Sequence, residues 1–210
     1  MGITERRERE KQQRQQDIIE AAETVFFRKG IENSTMDDVA AQAELSKGTL
    51  YLYFKSKEEI YLAITVRGMQ IMNDLFQRAI RNGQNGLEKS LKIGEAFHKF
   101  AREYPDYFNA LSYYELKEHE SDSEMIHECA CTGQESLDIL IEVLQEGIRD
   151  GSVKPDLDPK RVAVIMWGMA SGVIQLVATK GKHLANDHGF DMDNIIEDSY
   201  QMIRCSLENK

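Results

Sequence analysis

The stretch from Thr35 to Lys57, T-M-D-D-V-A-A-Q-A-E-L-S-K-G-T-L-Y-L-Y-F-K-S-K, constrains this chain more than any other. It holds two helix starts, at Thr35 and Ser46. Thr35, with Asp38 three positions on, forms a capping-box-like start, and Val39, Ala40 and Ala43 fall on one helical face. Glu44-Leu45 is the turn, with Leu45 as a buried wedge. Ser46 caps a second helix predicted over Lys47 to Phe54, whose exposed start offers Lys47, Gly48 and Thr49. Ser56 and Glu59 repeat the S-x-x-E signal for a third helix. Two short helices joined by a tight turn present the second one end-on to a DNA major groove.

Residues 17 to 64 resemble the DNA-binding domain of the TetR family of transcriptional repressors. The resemblance rests on Ile18, Ala22, Phe26, Gly30, Thr35, Val39, Ala40 and the specific run S-K-G-T-L-Y-L-Y-F-K-S-K-E-E from Ser46. It covers about a quarter of the chain. Beyond residue 65 only length and helical character agree. The resemblance implies an all-α protein of about nine helices. Residues 1–62 would be a three-helix helix-turn-helix DNA-binding domain with a basic N-terminal arm, and 63–210 a helical ligand-binding and dimerisation domain. It further implies a cytoplasmic homodimer on an inverted-repeat, double-stranded operator, released as a repressor by a small apolar effector. Thr35, Ser46, Lys47, Gly48, Thr49, Tyr51, Tyr53 and Lys57 are the expected DNA-facing residues, with Lys57 meeting a phosphate. The alternative is an all-helical small-molecule-binding protein or enzyme that does not bind DNA; it gives no reason for Gly48-Thr49 at an exposed helix start.

Net charge is −10, unusual for a nucleic-acid binder, but the acidity is uneven. Residues 1–62 carry 10 Lys+Arg against 12 Asp+Glu, and residues 63–210 carry 16 against 24. Phosphate attraction must therefore come from local placement. Arg6, Arg7, Arg9, Lys11 and Arg14 precede the first helix, mixed with Glu5, Glu8 and Glu10. They read either as a solvated tail or as a phosphate-contacting arm. Three cysteines do not make a disulfide framework, which fits a reducing compartment, and the N-terminus lacks the apolar run of a signal peptide.

Periodicity predicts helices over about 14–29, 57–81, 87–103, 106–118, 123–149, 159–180 and 192–208, besides the two short ones. N-G-Q-N-G at 82–86 and Gly151 are breaks, Pro159 stands at a first helical position after Asp158, and K-G-K-H-L-A-N-D-H-G-F reads as a polar loop. Val162 to Thr179 run for 18 positions without a charge. That touches membrane-span length. Gly168, Ser171, Gly172, Gln175 and Thr179 dilute it, so the segment reads as a helix buried between its own core and a second subunit, with no membrane partner. Gly168 and Gly172 share a face suited to close helix approach. Ile196, Tyr200 and Ile203 form a stripe on the last helix. In the TetR resemblance the last two helices pair into a four-helix bundle, so Gly168, Gly172, Ile196, Tyr200 and Ile203 are the expected dimer interface.

Aromatic and sulfur-bearing residues gather in the middle of the chain. Phe97, Phe100, Tyr104, Phe108, Tyr113, Met125, Met166 and Trp167 are plain core in one reading and an effector pocket in the other. Tyr104, Tyr113, His98 and Gln175 would supply its polar groups. The scarcity of inward Lys and Arg points to a ligand that is apolar, planar or aromatic, and neutral or cationic. Asp106, Glu115 and Glu118 are the carboxylates available to a cation. His119, His127, Cys129 and Cys131 lie close in sequence, but only His127 and Cys131 share a helical face, too few to close a metal site. No metal, cofactor or catalytic constellation is expected; acid pairs such as Asp37-Asp38 lie in first helical turns, where they complement the helix dipole.

Overall fold

Capping chemistry sets where the helices begin. In the computed structural model, which describes residues 2–116 and 124–209, the described residues form nine helices: α1 (Ile3–Lys29), α2 (Met36–Gln42), α3 (Lys47–Tyr51), α4 (Lys57–Ile80), α5 (Gly86–Glu103), α6 (Pro105–Leu116), α7 (Glu124–Asp150), α8 (Pro159–His188) and α9 (Met192–Leu207). The fold is all-α. Thr35, Ser46, Asn85, Asp158 and Asp191 each stand at an N-cap with the side chain accepting a backbone N–H of the first turn. Each such cap is worth about 1 kcal/mol.

Three ends differ from the sequence prediction. α1 starts at Ile3, not Arg14, because its polar first third contains no breaker and pairs along the helix, as in Arg6–Glu10. α3 stops at Tyr51, short of Phe54, in a turn that leaves Leu52 at its C-cap. α8 continues through the expected polar loop to His188. Gly181 is buried within it, with Met192 packed over the place a Cβ would take, and the left-handed residue that ends the helix is Gly189.

The chain divides into two compact units. Unit 1 comprises residues 1–68 and 106–130; unit 2 comprises 69–105 and 131–210. The core of unit 1 gathers Ile18, Ala22, Val25 and Phe26 of α1, Val39, Leu50, Phe54, Ile60 and Ile64, with Ala110 of α6 fully enclosed. Burying one such side chain contributes about 1.5–3 kcal/mol. Arg67 of α4 donates to both carboxylate oxygens of Glu23 on α1 at 2.9 Å, and the Tyr107 hydroxyl of α6 donates to the same carboxylate at 2.8 Å.

In unit 2, Phe76, Phe97, Phe100, Leu140, Leu144, Ala163, Met166, Ile196, Ile203 and Leu207 are buried. The connector after α7 joins the end of α9, where the Lys154 N–H donates to the Leu207 carbonyl at 2.9 Å and Val153 bridges Glu208. α8 is long and apolar enough to cross a membrane by length and composition. Its apolarity is nonetheless two-sided: Ala163, Met166 and Ile174 are buried, while Val164, Ile165, Gly168, Gly172 and Leu176 form an exposed stripe.

Candidate functional site

The head of unit 1 is assembled by local polar bonds. The Thr35 hydroxyl accepts the Asp38 N–H, and the Thr35 N–H and hydroxyl both donate to the Asp38 carboxylate at 2.9 Å. Lys29 reaches the other Asp38 oxygen at 2.7 Å. Hydrogen bonds from Lys29 and then Thr35 pull the Asp38 carboxyl down to about 2. Glu44 turns the chain with φ 55°, the left-handed conformation that lets α3 start at once. The Ser46 hydroxyl accepts the Thr49 N–H at 3.1 Å and lies 2.8 Å from the Thr49 hydroxyl.

These bonds leave Thr35, Ser46, Lys47, Gly48 and Tyr51 exposed, with Thr49 and Tyr53 half-buried. Lys47 pairs with Asp37 at 2.8 Å, which raises its pKa. Lys57 stands apart from this group. Its ammonium donates to the carbonyls of Ile31 at 2.8 Å and Ser34 at 3.0 Å, and reaches that of Glu32 at 3.5 Å. It thereby ties the α1–α2 turn to the start of α4.

Unit 2 contains a narrow cavity of about 30 Å³, lined by Phe76, Ile93, Gly94, Phe97, Ser136, Leu140, Met166, Trp167, Ala170, Tyr200 and Ile203. Phe97 stacks on Trp167 at 4.9 Å and meets Phe76 edge-on at 6.4 Å. Both hydroxyls of the wall have partners: that of Ser136 donates to Asn73 at 2.6 Å, and that of Tyr200 to the Gly94 carbonyl at 3.1 Å. Burial first, then the carboxylates of Glu95 and Glu197, push the Tyr200 phenol up to about 12. The lining carries no charged side chain.

Residues 18–64 match the family of bacterial regulatory proteins, tetR family. The chain is 26% identical to the fatty acid metabolism regulator protein of Bacillus subtilis over 203 residues, 96% of this chain and all of that one. It is 49% identical over 59 residues to the B. subtilis HTH-type transcriptional regulator YfiR, covering 28% of this chain and 29% of the relative. The chain is similar to transcriptional regulators of the TetR family. Its fold is also that of the B. subtilis regulator FadR solved in complex with stearoyl-CoA, with a TM-score of 0.70 at 22% identity over 91% of this chain and 98% of that one.

The aromatic residues picked from the sequence fall into both units. Phe97, Met166 and Trp167 line the cavity; Phe100 and Tyr104, stacked at 5.8 Å, belong to unit 2 without lining it. Phe108, Tyr113 and Met125 belong to unit 1. There Tyr113 donates to Glu32 at 2.7 Å, and Met125 packs on the core around Phe26. His98 is half-buried and its pKa is lowered by burial; Gln175 is exposed. Asp106 is exposed in unit 1, while Glu118 and His119 lie outside the described residues. Among the described residues no group of three or more His, Cys, Asp or Glu is placed to hold a metal ion.

Gly168 and Gly172 lie on the open stripe of α8, with nothing within 4 Å of a Cβ at either position. Ile196 and Ile203 are buried in their own unit, and Tyr200 and Ile203 belong to the cavity wall. The sequence reading missed Phe76, Ile93, Leu140 and Ala170 as lining. Their periodicity marks them as inward, but periodicity does not distinguish a packed wall from one beside a void.

Proposed function

We propose that this chain is a homodimeric repressor of the TetR family that holds an inverted-repeat operator and leaves it when a fatty-acyl ligand occupies the cavity of unit 2. The reading rests above all on the capped head, which leaves Thr35, Ser46, Lys47, Gly48 and Tyr51 exposed and Thr49 and Tyr53 half-buried on and beside a helix whose inner side is anchored by Leu50 in the core of unit 1. Residues 1–62 carry the DNA contacts and residues 63–210 the ligand and self-association. Two heads read half-sites about 34–36 Å apart, or a multiple of that. Lys57 acts on DNA binding indirectly, by holding the α1–α2 turn.

The ligand class is supported by the relative that regulates fatty acid metabolism, by the neighbour solved with stearoyl-CoA, and by an uncharged lining. An acyl chain is flexible where the sequence suggested a planar or aromatic ligand, yet its buried part is equally uncharged. A space of about 30 Å³ is of water size, so an acyl chain enters only as Met166, Phe97 and Trp167 give way. A ligand that binds the widened form alone shifts the population toward it, and by linkage DNA and ligand weaken one another.

The open stripe of α8 pairs with the same stripe of a second copy, the self-complementary arrangement of a two-fold dimer. Gly168 and Gly172 permit the close approach, and Ile196, Tyr200 and Ile203 back the interface from within. The dimer works in the cytoplasm, with α8 covered by protein and not by lipid. Gly172→Glu should sediment as a monomer, since a charge buried there would be unpaired; a folded dimeric variant places the interface elsewhere.

The test of function is selection of binding sites from random duplex DNA by the full-length chain, followed by gel shifts. Wild type should select an inverted repeat, and Thr49→Ala/Tyr53→Ala should lose it. Equal binding by the double variant would refute the assignment of the head. A thermal-shift series of acyl thioesters, free fatty acids and hydrophobic cations should show the thioesters stabilising most; stabilisation by the cations alone would refute the ligand class.

A further inference from the structure

Leu52 is 77% exposed, more than any other large apolar side chain described. It occupies the C-cap of α3 with ordinary helical dihedrals, and its N–H donates to the Thr49 carbonyl. One helical turn before it stands Gly48. A glycine inside a helix costs about 1 kcal/mol relative to alanine, so a fold usually has a reason to keep one. Here a Cβ at 48 would meet only the Ser46 hydroxyl oxygen, at 3.9 Å, and the backbone is not left-handed. Nothing in the chain's own packing requires Gly48 to be bare or Leu52 to be aliphatic. The two lie at i and i+4 and form one apolar strip on the open face of α3.

The rest of the head narrows what the strip can meet. No arginine occurs between Arg28 and Arg67, so the two-pronged arginine contact to guanine has no donor there. Lys47 is paired with Asp37, and Lys57 is engaged by carbonyls. In the major groove the base-edge group that matches an aliphatic side chain beside bare backbone is the 5-methyl of thymine. Resting on the reading that this head enters DNA, we propose that Gly48 and Leu52 form a seat for a thymine methyl group, which makes one T·A pair in each half-site a specificity determinant read by apolar contact.

The experiment uses the full-length chain and the duplex it selects from random DNA. Each thymine of a half-site is replaced in turn by deoxyuridine, which removes the methyl and nothing else. Wild type should lose about three- to tenfold in affinity at one thymine per half-site, the scale of one or two buried carbons. Leu52→Ala and Leu52→Asn should show a similar loss on the thymine duplex and no further loss on the uracil one. Since Leu52 is exposed, both variants should melt near wild type, and thermal melts check this. Equal affinity of Leu52→Ala and wild type for the thymine duplex overturns the proposal. So does a thymine-to-uracil loss that persists undiminished in Leu52→Ala. A wild type that selects no sequence overturns the DNA reading itself and this proposal with it, an outcome visible before any variant is made.

Discussion

Where α5 meets α7 in unit 2, a Cβ on Gly86 would fall 2.0 Å from the Gly147 backbone nitrogen. On the head of unit 1, a Cβ on Gly48 would meet open space but for a hydroxyl at 3.9 Å. The same residue type therefore does opposite work in the two regions. Gly86 and Gly147 exist for the chain's own packing, because two helix backbones touch there. Gly48, like Gly168 and Gly172 on α8, is not required by the subunit itself and leaves backbone available to something outside it. A helical glycine with ordinary dihedrals whose missing side chain is not filled by its own fold is what the proposed DNA and dimer surfaces require.

Substitution should separate the two kinds sharply. Gly86→Ala drives a methyl into backbone that no rotamer change can relieve, and should cost about 3 kcal/mol or more, read from the urea midpoint. A cost near zero would mean that α5 and α7 separate easily and that the contrast is false. Lys57→Ala should come next. Removing the ammonium leaves the Ser34 carbonyl without its donor and the Ile31 carbonyl with the Ser34 N–H alone, at about 2 kcal/mol. Lys57→Arg should recover little of it, because a planar guanidinium does not aim its donors as an ammonium does. Gly48→Ala should have the opposite sign: a gain of up to about 1 kcal/mol in stability, together with weaker operator binding in gel shifts. A stabilised variant with unchanged DNA affinity would remove Gly48 from the interface.

The smallest effects are pH dependences that again distinguish the regions. In the head, Asp38 is held at about 2 against an ordinary 3.8. Its contribution is fully present above pH 3.8 and is lost as pH falls through 2. Asp38→Asn should flatten that acid limb of stability. In unit 2, Tyr200 is held up at about 12 against 10. Its contribution is present below pH 10 and fades as pH rises through 12. Phenolate absorbance should show Tyr200 among the late-titrating tyrosines, and Tyr200→Phe should remove one of them.

The head was legible in the sequence because its chemistry is local. Thr35 with Asp38 and Ser46 with Thr49 act over three residues, so their spacing is also their geometry. The bond from Arg67 to Glu23 spans 44 residues and that from Tyr107 to Glu23 spans 84; no local pattern announces either. For the same reason Phe108, Tyr113 and Met125 could be recognised as inward from sequence, yet not assigned to unit 1. Lys57 shows the opposite limit. A lysine at a helix start beside the head reads naturally as a phosphate contact, and only the fold reveals three carbonyls around it. The helical run from Lys180 to His188 was hidden by Gly181, which looks like a break and is a packing residue under Met192.

The claim that the cavity of unit 2 governs the head of unit 1 is tested most directly by one titration. Fluorescence anisotropy of the labelled selected operator is measured against the full-length chain, with and without saturating stearoyl-CoA. The account predicts that the thioester weakens operator binding about 5- to 150-fold, the usual range of coupling between two sites. An unchanged Kd for DNA with the thioester demonstrably bound would contradict it.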